Sequence, residues 1–76
     1  MKFEVGQTFY MRDKVVTFDK KIADVKGLYK LIEIEENETE PRYHIRDIDS
    51  TETFIVSGNV LRDNRMLVDG KMVKLL

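Results

Sequence analysis

Apolar residues arrive along this chain in short bursts divided by turn-forming positions, with no long apolar run. That spacing predicts a compact, mostly β domain. Thr8 to Arg12 reads as a first strand, with Phe9 and Met11 on one face and Tyr10 on the other. Asp13-Lys14 predicts a turn and Val15 to Phe18 a short returning strand. Leu28 to Glu35 reads as a strand with a defect: Tyr29 and Leu31 share one parity, Ile32 and Ile34 the other. One extra residue near Leu31-Ile32 reconciles them, because a β-bulge flips the face of everything after it. Glu36 to Pro41 is a solvated loop, Arg42 to Ile48 the next strand, Asp49 to Glu52 a turn, and Thr53 to Ser57 a further strand. Ser57 to Leu61 predicts a single helical turn capped by Ser57, with Val60 and Leu61 inward. Asp69-Gly70 supplies the positive φ values of a two-residue type I′ hairpin. Its register sets Val68 opposite Lys71, Leu67 opposite Met72 and Met66 opposite Val73. Met66, Val68, Val73 and Leu75 then face the core.

The expected fold is a small, strongly bent antiparallel barrel of five to six strands with a C-terminal Asp-Gly hairpin. Its core draws on Phe9, Met11, Tyr29, Leu31, Ile34, Ile45, Phe54, Val56, Leu61, Met66, Val68 and Val73. The alternative is an α+β chain with one short helix near 19–27. Ile22, Val25, Tyr29 and Ile32 fall at helical intervals, Asp19 suits an N-cap, and Gly27 closes the segment.

Seventy-six residues make one domain, spanning 1–76. A hydrophobic share of 42% is too high for a disordered tail, and a net charge of −1 lacks the basic excess of a general nucleic-acid binder. Without cysteine there is no disulfide framework, thiolate nucleophile or cysteine zinc site. No apolar run approaches the roughly 20 residues that cross a bilayer. The start lacks the apolar middle of a secretory signal, so a cytoplasmic protein without a membrane partner is expected.

The order of features resembles a Src-homology-3-type small barrel, the group that includes Tudor and KOW-like modules. Val5 to Phe9 resembles the entry to the first strand, Gly27 to Ile34 the bent second, Arg42 to Asp47 the third, Phe54 to Val56 the fourth, and Val60-Leu61 the turn before the closing strand. The resemblance covers roughly residues 5 to 68 and implies a binding role. The chain departs from proline-rich-peptide binders, having no Trp and no opening aromatic cluster, and the terminal hairpin is an addition. A short, cysteine-free composition rich in Lys, Glu and Ile also resembles small phage or prophage proteins.

Candidate chemistry is sparse. His44 is the single histidine and reads as a solvated strand residue, so no metal ligand and no cofactor are expected. Asp47-Ile48-Asp49-Ser50-Thr51 formally matches a phosphatase motif, yet that chemistry needs a large α/β sheet; a tight acidic turn is the better reading. Asn37-Glu38-Thr39 is a formal glycosylation sequon that an intracellular chain does not use. Charge is more informative: residues 1–30 carry +3, residues 31–52 carry −6 and residues 53–76 carry +2.

Three binding surfaces follow. Glu36 and Glu38, with their acidic neighbours, offer a contact for a basic partner. Arg12, Lys14, Lys20, Lys21, Lys26 and Lys30 with Tyr10 and Phe18 have the composition of a single-stranded nucleic-acid surface, interrupted by Asp13, Asp19 and Asp24. Leu67 and Met72 form an apolar pair on the outer face of the last hairpin. The expectation is a non-enzymatic protein-binding module of accessory or regulatory, phage-like type, monomeric or weakly self-associating. A nucleic-acid adaptor and a small assembly subunit are the alternatives.

Overall fold

The computed structural model describes residues 2–74, less the side chain of Asp13. The chain is mostly β: β1 (Thr8–Val16), β2 (Ile22–Glu35), β3 (Arg42–Asp47), β4 (Thr53–Val56), the short helix α1 (Gly58–Arg62), β5 (Arg65–Val68) and β6 (Lys71–Lys74). The strands form one antiparallel six-stranded sheet in the order β4-β3-β2-β1-β5-β6. The sheet bends over its core without closing into a continuous ring, so β4 and β6 remain edges. Among the described residues no helix is long and apolar enough to cross a membrane.

Two bends in β2 produce the curvature. Gly27 sits at φ +116, which side-chain-bearing residues rarely adopt, while the ladder to β1 continues unbroken past it. Four residues on, the β2–β3 register shifts between Leu31 and Glu33. This is the bulge that the parity of Leu31 and Ile34 requires. It lets Val25, Tyr29, Leu31 and, past the shift, Ile34 all meet the core. The buried set is completed by Phe9 and Met11 from β1, Tyr43 and Ile45 from β3, Val56, Leu61 and Met66. Phe3, ahead of the first strand, joins them edge-to-face with Phe9 (5.8 Å) and Tyr43 (5.2 Å), beneath the Arg62 guanidinium at 5.5 Å. Ile34 and Phe54 are partly buried against this cluster.

Several expectations need correction. Asp13-Lys14 is no turn, because β1 runs straight through it to Val16. The chain reverses instead at 17–21, where Lys20 takes a left-handed φ of 65. No helix forms near 19–27. Of the helically spaced set, Val25 and Tyr29 are buried, but Ile22 (70% exposed) and Ile32 (41%) face outward, as a strand interrupted by a bulge dictates. Ser57 does occupy the N-cap position of α1, but its side chain makes no capping bond. The Asp-Gly hairpin has its expected register and positive φ at both turn residues. It overhangs the core, however: Met66 is buried while Val68 and Val73 stay exposed, because nothing packs beneath the end of a two-strand extension. Leu75 lies outside the described residues.

Two outcomes test this packing. Leu31→Ala, which empties a fully buried position, should lower unfolding free energy by about 2–5 kcal/mol, and Val73→Ala by under about 1 kcal/mol, in urea melts. Burial raises the Tyr29 phenol above its ordinary value of 10.0, against the opposing bond from the Lys26 N–H (3.4 Å). The unfolded phenol therefore loses its proton first. Its stabilising contribution is intact below about pH 10 and is lost as pH rises through the raised folded value. Alkaline melts should show this decline, and Tyr29→Phe should flatten it.

Candidate functional site

A groove of about 750 Å³ lies where the sheet fails to close. One backbone bond crosses it, from the Phe18 N–H to the Ile55 carbonyl at 2.9 Å. That carbonyl points away from β3, and antiparallel alternation turns the Ile55 N–H and both polar groups of Thr53 to the same open side. The apolar walls are Phe18, Ile22, Phe54 and Ile55, and the rim carries Asp24 and Glu52. Among the described residues neither rim carboxylate has a cationic partner.

The 17–21 loop is built to hold Phe18 there. Thr17 is buried and its N–H bonds the Lys21 carbonyl (2.9 Å), while the Lys20 N–H returns to the Thr17 carbonyl (3.0 Å). The Thr17 hydroxyl faces both the Asp19 carboxylate and the Lys21 carbonyl (3.1 Å), and its one proton serves either. That hydroxyl above all, with a backbone hydrogen bond at Asp19 and the Lys21 ammonium 3.7 Å away adding to it against a smaller desolvation, holds the Asp19 carboxyl below its ordinary 3.8. On the other side the Arg42 guanidinium lies 5.3 Å from the Phe18 ring centroid and 3.5 Å from Glu35, which steadies the aromatic wall.

A second surface is the sheet's outward face. Ladder register places Tyr10 between Leu28 and Arg65, with Lys74 beyond Arg65. The row on one side of Tyr10 is Arg12 and Lys26; the row on the other is Arg46, Lys30, Thr8, Leu67 and Met72. Tyr10 is half-buried and the cations around it are exposed. A cleft of about 330 Å³ runs beside it, walled by Tyr10, Arg12, Arg65 and Lys74 and closed by Asp63 and Asn64.

The β2–β3 end is acidic. Glu36 and Glu38 are exposed in the connecting loop. Just before them the bulge sets Glu33 opposite His44. His44 is not the solvated residue the sequence suggests: its side chain is 21% exposed and its Nε2 lies 3.0 Å from Glu35. Donor atoms of Glu33, Glu35 and His44 lie within 4.8 Å of one another. Arg42, on the second oxygen of Glu35, already supplies that cluster with a cation. The Asp47–Glu52 turn is held locally, with the Asp49 N–H on the Asp47 carboxylate (2.8 Å) and the Glu52 N–H on the Ser50 hydroxyl (3.1 Å).

The residues singled out from sequence therefore separate. Phe18 and Lys21 belong to the groove and Lys20 to its exposed loop; Tyr10 and Arg12 belong to the outward face, with Leu67 and Met72 at its margin; Glu36 and Glu38 stand at the acidic end. Missed were Ile22, Phe54 and Ile55 in the groove and Arg46, Arg65 and Lys74 on the face. Pairing of β1 with β5, distant in sequence, brings Arg65 and Lys74 to Tyr10, which local pattern does not disclose. No protein-family model, curated protein or solved structure matches the chain.

The loop makes its own prediction. Thr17→Val removes the main cause of the Asp19 depression, so the Asp19 carboxyl should titrate closer to 3.8 in side-chain NMR.

Proposed function

We propose that this domain is a non-enzymatic binding module that takes an extended segment of another protein into the seam groove, beside the β4 edge. The observation that carries this reading is the juxtaposition of apolar walls with unpaired backbone groups on an open edge. Strand addition uses both: edge N–H and C=O groups supply affinity, and pockets for alternate side chains supply selectivity. The carboxylates of Asp24 and Glu52 favour a segment that mixes apolar and basic residues. Asp19 is engaged by Thr17 and Lys21, and Tyr29 is built into the core, so these two perturbed groups serve structure rather than proton transfer. The order β4-β3-β2-β1-β5, with a helical turn before β5, supports kinship with Src-homology-3-type barrels. The lack of cysteine supports a cytoplasmic setting. An accessory role of phage type draws support from the short, Lys-, Glu- and Ile-rich composition.

Ile22 is 70% exposed, so Ile22→Asp changes the groove without emptying the core. The wild-type domain should retain a specific protein from host lysate at low salt, and Ile22→Asp should lose it. Recovery of no specific protein, or equal recovery by Ile22→Asp, would overturn the proposal.

A further inference from the structure

The cleft beside Tyr10 on the outward face shares none of its lining residues with the seam groove. Arg12, Lys26, Lys30, Arg65 and Lys74 surround this half-buried aromatic ring from β1, β2, β5 and β6, and all five are exposed. Among the described residues none of them has a carboxylate within 4.0 Å, whereas Lys21 and Arg42 elsewhere are paired. Four neighbouring strands span roughly 14 Å at about 4.8 Å each. Five cations without a carboxylate partner among the described residues thus converge on one patch of a chain whose net charge is −1. The acidic groups are displaced from it: on β2 the outward residues change from Lys26 and Lys30 to Glu33 and Glu35 across the bulge. Asp63 and Asp24 are the exceptions, Asp63 lining the cleft beside Tyr10 with Asn64, and Asp24 one outward position beyond Lys26 on β2, opposite Lys14.

We infer that this face binds single-stranded nucleic acid, with a base stacked on or beside Tyr10 in the cleft and the phosphates on the surrounding cations. Charge complementarity selects a polyanion. The aromatic ring adds what an acidic protein surface does not use and a duplex does not offer, a platform for an unstacked base. Asp63, exposed, and Asn64 also line the cleft, where the carboxylate can accept from the polar edge of a base and would repel a phosphate.

The test is a titration of the folded domain against a fluorescein-labelled oligothymidylate of about fifteen nucleotides, repeated across salt. With about five phosphates neutralised, log K should fall with log salt at a slope of about −3.5. Lys30→Glu with Arg65→Glu, both exposed positions, should weaken binding at least tenfold and make the slope shallower by at least about 1. Tyr10→Leu, which keeps an apolar side chain, should cost about tenfold, and Tyr10→Phe should restore the affinity. Far-UV circular dichroism of each variant should match the wild-type spectrum. No binding at low salt overturns the inference, as does binding that the double charge reversal leaves unchanged. If polyglutamate or a duplex of equal length competes as well as the single strand, and Tyr10→Leu binds like wild type, the site is a simple charge patch and the inference is wrong. Ile22→Asp should leave this titration unchanged, which separates it from the groove.

Discussion

Everything in this fold depends on the path of β2. It is the longest of the described strands, pairing with β1 from Ile22 to Lys30 and with β3 from Tyr29 to Glu35. A straight 14-residue strand would extend roughly 46 Å, far beyond a core that eleven buried residues fill. Two local devices shorten it into an arch: positive φ at Gly27 and the extra residue between Leu31 and Glu33. The bulge also reverses side-chain phase, and that reversal keeps both Leu31 and Ile34 against the core.

The surface inherits its layout from the same bends. Because the arch carries β3 and β4 round towards the β1–β2 turn, the β4 edge meets the 17–21 loop at one hydrogen bond rather than a full ladder, and the seam groove is what remains open. Past the bulge the outward side of β2 carries Glu33, opposite His44, and Glu35, which engages both His44 and Arg42. Before it the outward charged residues are Asp24, Lys26 and Lys30, with Lys14 and Arg12 facing the first two from β1. The bend in the strand is therefore also the border between an acidic end and a mostly cationic face.

Local pattern disclosed much of the architecture. The bulge, the helical turn near residues 58–62 and the register of the last hairpin are each governed by a few adjacent residues whose backbone demands are strong. Where local signals conflicted, pattern reading failed. Asp13-Lys14 has turn chemistry, yet pairing with Val25 and Asp24 holds it in a strand. Ile22, Val25, Tyr29 and Ile32 mimic a helical stripe, because a strand whose phase reverses places its apolar residues at uneven intervals. Phe3 gave no strand signal at all, since it enters the core from an irregular segment.

By itself the amino-acid order determined that this is a mostly β domain with bent strands, a terminal hairpin and unevenly spread charge, because alternation, glycine placement and turn residues act over a handful of positions. Only the tertiary structure decided which charges share a surface. Arg65 reaches Tyr10 through pairing between β1 and β5, and His44 reaches Glu35 across the β2–β3 ladder. Those contacts are set by strand order and register over the whole sheet, which no window of neighbouring residues contains.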